Sequence, residues 1–192
     1  MACIALTKGR GLLCNRSAGG VKYIYFAVYD QITSWALNAA AGIREVDTID
    51  FGSNSIYRYT VPRGSSQVQE SITGSNENGT IFYTPTCSMV INRLTKEDQN
   101  EIKLLGQTQV VIFAQLNEQL ANGHDVIVTL GINNAMSLNA GTADSGTAFA
   151  DRNGYTLNFD GFEADPFPML EDFTTTPFDN AGITNLAGIV TS

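Results

Sequence analysis

The stretch "ADRNGYTLNFDGFE", residues 150–163, decides the fold class. Apolar and polar residues alternate in its second half, which is the period-two pattern of a strand with one buried face. The apolar positions are Tyr155, Leu157 and Phe159. Asn153 and Gly154 precede them and predict a structural turn, because both residue types tolerate positive φ. The sequence therefore predicts a turn that leads into a core strand.

The same stretch admits a second interpretation, as the rim of a metal or catalytic site. Asp151, Arg152, Asn153 and Gly154 resemble the first half of a calcium loop, but such a loop needs more oxygen ligands and a bidentate acid further on. The next acid, Asp160, falls within the alternating strand. The pattern therefore favours architecture over chemistry, and we predict no metal site.

Most other segments also predict strands, so the chain is expected to be mainly β. The candidate strands cover residues 21–30, 44–51, 55–62, 66–74, 79–94, 110–116 and 126–132, with 32–37 ambiguous between strand and short helix. Segments 55–62 and 66–74 flank Arg63, Gly64 and Ser65, which predicts a hairpin arm over about 55–74. Pro85 indicates that its strand lies at an edge or a bulge at that point.

One segment predicts a helix, at about residues 96–105. Thr95 is a candidate N-cap, and Asp98, three residues later, is a weak capping-box partner. Acidic residues crowd the first turn, where the helix dipole favours negative charge. Gly106 marks the expected end. This is the only helix that we predict.

Composition and charge exclude one class of function. The 192-residue chain has 19 acidic and 11 basic residues, for a formal net charge of −8. A protein that binds DNA through its phosphates needs the opposite balance. An acidic surface lets DNA slide past without binding, although acidity also simply aids solubility. Charged residues make up only 16% of the chain, which favours a surface partly buried against partners.

The residues that usually carry chemistry form no recognisable site. His124 is the single histidine and lies beside Asp125 on a predicted turn, where adjacent residues rarely orient one another. Cys14 and Cys87 lack an activating base nearby in sequence and are expected to be buried small hydrophobes. The basic residues near the N-terminus are expected to pair with acids on a neighbouring chain: Lys8, Arg10, Arg16 and Lys22. We predict no enzyme, cofactor or metal.

The last 27 residues, 166–192, have little periodicity and no Lys or Arg. They nevertheless carry large apolar side chains, which a disordered tail would lack. The principal ones are Phe167, Phe173, Phe178 and Leu186. We interpret this segment as an arm that orders against another subunit. No apolar run approaches the ~18 residues of a membrane-spanning helix, and the N-terminus resembles no secretory signal.

Two regions together, residues 76–105 and 130–163, resemble the tail tube (major tail) structural proteins of tailed bacteriophages. A G-x-A-x-x-D-x-x-G-Y-T-L-x-F-like segment recurs near the end of those proteins, and here it runs from Gly146 to Phe159. The similarity covers roughly residues 1–165, so we expect one tail-tube-like β domain there and a separate arm over 166–192.

This resemblance implies a β-sandwich-like or barrel-like fold with one flanking helix and extended arms. It further implies hexameric rings whose inner sheets join around a channel, stacked into a tube that conducts DNA during ejection without binding it. The carboxylates expected to line the channel are Asp47, Asp50 and Asp160. The hairpin around Arg63, Gly64 and Ser65 and the terminal arms would bridge subunits and rings, with other tail proteins as further partners.

Three alternatives stay open at this point. The chain could be another virion component, such as a head decoration or connector ring protein, or the tube protein of a contractile injection or secretion system. The third is a β-sandwich hydrolase, which would need a perturbed histidine or a pair of carboxylates in a pocket. For the tail tube protein, the expected location is the virion tail, after assembly in the host bacterial cytoplasm.

Overall fold

The computed structural model describes residues 9–11, 17–40 and 42–191. Within these ranges the protein is mainly β with a single α-helix, as the sequence predicts. The strands are β1 (Val21–Val28), β2 (Ser34–Leu37), β3 (Glu45–Thr60), β4 (Gln67–Ser75), β5 (Thr80–Asn92), β6 (Val110–Gln119), β7 (Asp125–Leu130), β8 (Ser137–Asp144), β9 (Gly154–Asp160), β10 (Met169–Leu170) and β11 (Ile183–Thr191). The helix α1 spans Lys96–Leu105.

The larger sheet curls into a small barrel. Strands β1, β6, β7, β10 and β3 follow one another, and β3 pairs back with β1, which closes the circuit. Strands β2 and β11 add to β3. One core cluster lies inside the barrel, where β1 contributes Tyr25 and Ala27 and β6 contributes Phe113. The central strands read as continuous apolar runs because both of their faces are buried.

The smaller sheet has the strand order β4-β5-β9-β8 and is antiparallel throughout. Its inner face packs against the outside of the barrel in a second core cluster. Leu157 and Phe159 of β9 and Met89 of β5 meet Ile24 and Phe26 of β1 there. The period-two pattern at 155–159 is confirmed, since all three apolar residues of that stretch are buried.

The helix confirms its predicted bounds and cap. The Asp98 N–H donates to Thr95 Oγ1 over 3.0 Å, which satisfies one of the free donors of the first turn. Ile102 and Leu105 pack against the core between the sheets. Within the described ranges, no helix has the length and apolar character needed to cross a membrane.

The hairpin arm predicted over about 55–74 is wrong. Most of residues 44–51 and 55–62 belong to one strand, β3, which bends where Gly52 and Ser53 adopt positive φ. Arg63, Gly64 and Ser65 form a link from the barrel to the smaller sheet, not a hairpin tip. The true hairpin joins β4 to β5 and turns at residues 76–79. The sequence has two turn signals close together, at residues 63–65 and 76–79. The second forms the hairpin because it places Val68 beside Cys87 on the face that packs against the core.

Pro85 does not lie at an open edge. Regular pairing of β5 with β9 ends at Thr86, but the Pro85 oxygen still accepts the Gly161 N–H over 3.3 Å, and β4 pairs with β5 on the other side. The missing N–H of Pro85 therefore falls where the ladder with β9 is interrupted, before a single bridge follows between Tyr83 and Glu163.

Residues 166–192 fold onto the rest of the chain and do not form a separate arm. Strand β11 runs parallel to β3 over most of its length, and β10 sits between β3 and β7. Phe178 is 5% exposed and completes the interior of the barrel. Register shifts interrupt the pairing of β11 around Leu186, which erases the period-two pattern and explains the wrong prediction.

The turn predicted at Asn153 and Gly154 is wrong: Gly154 is the first residue of β9, and the turn before the strand lies at residues 148–151. Neither residue has positive φ. Gly154 is required because a Cβ there would lie 2.1 Å from the backbone oxygen of Ile91. Asn153 contributes its backbone oxygen, which accepts the Arg93 N–H over 2.6 Å. The glycine is thus explained by the close approach of the start of β9 to the end of β5, and not by positive φ.

Candidate assembly surfaces

The outer face of the smaller sheet is a polar surface without cations. Because Leu157 and Phe159 point inward, Thr156, Asn158 and Asp160 point outward by strand alternation. The outward residues of β4 and β5 are also mostly Gln, Ser and Thr, among them Gln67, Gln69, Ser71, Thr84, Thr86 and Ser88. Strands β4, β5, β8 and β9 contain no Lys, Arg or His.

Loop residues modify this surface at its margin. The guanidinium of Arg152, in the loop before β9, donates to Thr156 Oγ1 over 2.6 Å. Asp160, the last residue of β9, accepts a hydrogen bond from the side-chain amide of Asn139 over 2.8 Å, which holds the carboxylate in place. The surface is therefore neutral and acidic, with one arginine at its rim.

The three carboxylates predicted to line a channel do not share one surface. Asp160 belongs to the smaller sheet, whereas Asp47 and Asp50 lie on β3 of the barrel. The hydrogen bond from the Gly52 N–H, and then that from Asn185, hold the pKa of Asp50 below its usual range. Asp50 is thereby a structural residue that joins β3 to β11. Only Asp160 keeps the predicted orientation toward a polar face.

Both edges of the smaller sheet are open among the described residues. Strand β4 pairs only with β5, and β8 pairs only with β9. Every side chain of β8 except Leu138 is exposed. An open edge presents unpaired backbone N–H and C=O groups, which makes it a template for a strand from another chain.

The tip of the β4–β5 hairpin extends the inner face of the sheet beyond the core. Ile72 and Ile81 lie on the same face as Val68 and Cys87, yet they are 65% and 59% exposed. On the opposite face, the ring of Phe82 meets that of Phe162 at 5.9 Å between centroids. We call this set of exposed apolar residues the hairpin tip: Ile72, Ile81, Phe82 and Phe162.

The root of the same hairpin is held firmly. Tyr83 and Glu163 exchange two backbone hydrogen bonds of 2.8 Å, and Glu70 Oε1 accepts the Phe167 N–H over 2.8 Å. Burial raises the pKa of Glu70 despite that hydrogen bond. Glu163 is itself buried and accepts the N–H groups of Asn133 and Asn134. The tip therefore projects from a rigid base.

The remaining predicted arm residues lie within the chain's own fold. Phe178 packs its ring edge-on against Tyr25 and Phe113, at 5.0 and 5.3 Å between centroids. Phe173 stacks on the ring of His124 at 4.4 Å, and Leu186 packs partly buried against the barrel core. Phe167 packs against the core between the sheets. None of them is displayed as a free arm.

Sequence reasoning missed the partner of His124. Its Nδ1 lies 2.9 Å from Asp172 Oδ1, so the histidine connects the β6–β7 turn to the C-terminal segment. Asp125, its neighbour in sequence, instead pairs with Lys22 at 2.6 Å and accepts from Gln115. No local sequence signal links residues 124 and 172, because the contact arises only from the fold.

The cysteine and N-terminal predictions are partly covered by the described residues. Cys87 is buried and free, and burial raises the pKa of its thiol to about 12, which makes it unreactive. Lys22 finds its acid within the chain. Cys14, Lys8 and Arg16 lie outside the described residues. Within the described ranges, no cluster of three or more His, Cys, Asp or Glu side chains is placed to hold a metal ion.

Comparison of the chain with protein-family models, with curated proteins and with solved structures finds no match in any of the three. The surfaces described above therefore carry the functional argument.

Proposed function

We propose that this chain is the structural subunit of a bacteriophage tail tube, which assembles as stacked hexameric rings around a channel for DNA. The observation that carries the proposal is the smaller sheet. It combines two open edges with an outer face whose strands carry no Lys, Arg or His, with Arg152 at its rim. A sheet of this kind finds partners for its edges in copies of itself.

The strand directions suit closure into a ring. Along the order β4-β5-β9-β8 every neighbour is antiparallel, so β4 and β8 run in opposite directions. When copies are placed side by side in the same orientation, β8 of one meets β4 of the next in antiparallel register. The joined sheets form a continuous barrel and leave no open edge.

The size of such a ring suits a DNA channel. Strands lie about 4.8 Å apart in a sheet, and barrel strands tilt by about 40°. Six four-stranded sheets joined in this way enclose a channel roughly 45 Å across between opposite backbones. Side chains narrow this width, and a duplex still passes.

The chemistry of the outer face suits passage without binding. DNA affinity comes mainly from Lys and Arg that neutralise phosphates. A lining of Gln, Ser, Thr and Asn with Asp160 supplies none of that attraction, and Arg152 adds a cation only at its rim. The barrel, with α1 beside it, then lies on the outside of the ring.

The hairpin tip provides the contact between rings. Its apolar residues extend past the core, so they are available to a copy stacked above or below. This role replaces the one expected of Arg63, Gly64 and Ser65, which lie in a link between sheets.

The direct test is the form of the purified protein in negative-stain electron microscopy. Long tubes with a central channel support the proposal. Closed single rings would point instead to a connector or decoration protein, and a monomer at high concentration would overturn it.

An edge variant makes this test specific. Lysines at the exposed positions Gln69 and Ser71 place two cations per copy on the β4 edge, which opposes edge pairing without disturbing the core. Gln69→Lys/Ser71→Lys is expected to fold but not to form rings. Gln31→Lys is the control and should assemble normally. Gln31 is exposed and lies in the connection between β1 and β2 of the larger sheet, far from β4 in sequence.

A further inference from the structure

Phe149 is displayed on the surface with no contact that explains it. Its side chain is fully exposed, at 113% of the reference area, in the loop between β8 and β9. Single exposed apolar residues are common on protein surfaces. In this loop hydrogen bonds hold the backbone in one shape, so the point from which the ring projects is fixed.

A carboxylate holds the loop in shape. Asp151 Oδ2 accepts the N–H groups of Thr147 and Ala148, over 2.9 and 2.6 Å. The Asp151 N–H donates back to the Ala148 oxygen over 3.0 Å. Asp144 accepts the N–H of Gly146, which has a φ of +71°. Phe149 lies at the apex of this closed turn.

An apolar groove of matching size opens elsewhere on the molecule. It lies between α1 and the outer side of the barrel, with Phe26, Tyr59 and Val110 deep inside and Tyr57 and Leu104 at its mouth. Tyr57 and Leu104 are 44% and 48% exposed. The volume is about 210 Å³, and an apolar cavity of roughly 150 Å³ accepts benzene.

Charges at the two places are complementary. Glu101 lines the groove, and no cation of the described residues pairs with it. Burial raises the pKa of Tyr59 to about 12, with further contributions from the charges of Glu101 and Asp98, so both carboxylates lie near the groove. Beside Phe149, Arg152 has no carboxylate partner among the described residues.

We propose that Phe149 of one copy inserts into the groove beside α1 of a second copy, with Arg152 of the first facing Glu101 of the second. The knob and the hole are different surfaces, and a head-to-tail contact that repeats from copy to copy satisfies both of them on every copy. This inference rests on the proposed function for its setting, and it adds a specific contact to the edge pairing described above.

The first test measures the critical concentration for polymerisation by sedimentation. Phe149→Ala is expected to raise it at least tenfold while the melting temperature is unchanged, because the side chain is fully exposed. Leu120→Ala, which removes another exposed apolar side chain, is the control and should polymerise as the wild type does.

The second test is charge exchange. Arg152→Glu and Glu101→Arg are each expected to weaken assembly, and the double variant is expected to restore most of the loss. Restoration requires the two residues to face each other between copies, because neither has an oppositely charged partner among the residues that the structure describes.

The outcomes separate the two proposals. If Phe149→Ala forms tubes at the wild-type concentration, the insertion is wrong and the tube proposal stands. If Leu104→Asp blocks assembly while Phe149→Ala does not, the groove receives a different side chain and the inference is again wrong. A wild-type protein that stays monomeric overturns both.

Discussion

At the scale of single residues, the close approach of β9 to β5 at Gly154 is a demanding feature of the fold. A Cβ at this position would lie 2.1 Å from the Ile91 oxygen and 3.0 Å from the Asn92 Cα. Both neighbours are backbone, so a side chain there must displace a strand. Asn153 beside it contributes only through its backbone oxygen. The pair thus offers a matched comparison.

We expect Gly154→Ala to lower the free energy of unfolding by about 3 kcal/mol, as overpacking against backbone does. Asn153→Ala should change it by less than about 0.5 kcal/mol, as surface substitutions usually do. Urea denaturation measures both. Equal effects of the two changes would show that the strand does not approach Gly154 as closely as described.

Asp179 controls the turn that places Phe178 in the barrel. The hydrogen bond from the Thr176 N–H, and those from Thr174 and Thr175, hold the pKa of Asp179 below its usual range. Because the folded-state pKa lies below the unfolded value of about 3.9, the carboxylate contributes its full stability above that pH. The contribution is lost as the pH falls through the folded-state pKa.

Asp179→Asn is therefore expected to melt at a lower temperature than the wild type at pH 7, with the difference vanishing as the pH falls below the folded-state pKa of Asp179. The amide imitates the protonated acid, so the two proteins converge in acid. Thermal melts followed by circular dichroism across this range check the expectation. Asp30→Asn, an exposed change between β1 and β2, serves as the control, and a gap that persists in acid would contradict the mechanism.

At the scale of elements, β11 belongs to the folded core and not to an appendage. Ile183, Leu186 and Ile189 pack partly buried against the barrel cluster, and the strand pairs with β3 from Ile49 to Arg58. We expect a chain that ends at residue 182 to lose on the order of 5 kcal/mol of stability, from the apolar area that it exposes. Chemical denaturation measures the loss.

Two single substitutions test whether this loss of stability comes from the packing of β11 and not from shortening the chain. Val190 is 47% exposed, so Val190→Ala should cost little, whereas Ile189→Ala should cost more. A truncated chain that unfolds like the full one would restore the earlier interpretation of an independent arm.

Elements differed in how well the sequence predicted them, for physical reasons. The helix carries its own signals in Thr95 and Asp98, and β9 carries a regular alternation, so both are local and both were predicted. The partner of β4 is not local: the turns at 63–65 and 76–79 both read as hairpin turns, and only burial of Val68 beside Cys87 selects one. Strand β11 pairs with register shifts, which no period reveals.

Only the chemical character of the candidate surface, and not its geometry, could be predicted from the sequence. The polar composition of β4 and the outward position of Asp160 follow from the sequence, while the assignment of Asp47 and Asp50 to another sheet does not. The contact of Phe173 with His124 and the groove beside α1 join segments distant in the chain, so they required the fold.

At the scale of the whole molecule, the charge of the proposed channel lining is the property to test. Asp160→Lys removes an acid and adds a cation on the outer face of the smaller sheet, once per copy. If the tubes form as proposed, this variant should retain duplex DNA at low salt and release it as salt rises, because phosphate contacts depend steeply on ionic strength. Wild-type tubes should retain none.

Glu118→Lys is the matched control, since it makes the same change of charge at the far end of β6, in the barrel. Its tubes should let DNA pass as the wild type does. A filter-binding or co-sedimentation assay at several salt concentrations reads both variants. DNA retained equally by the two would place the outer face of the smaller sheet away from any channel.

The hairpin tip projects from one end of the smaller sheet only, since the turn at 76–79 lies at one end of β4 and β5. Any column of copies that share one orientation consequently has two different ends. One end exposes the apolar hairpin tips, and the other exposes the surface that receives them. Growth from such a column is directional, so a base that presents one kind of end dictates which way it lengthens and which end is left for a terminator to seal.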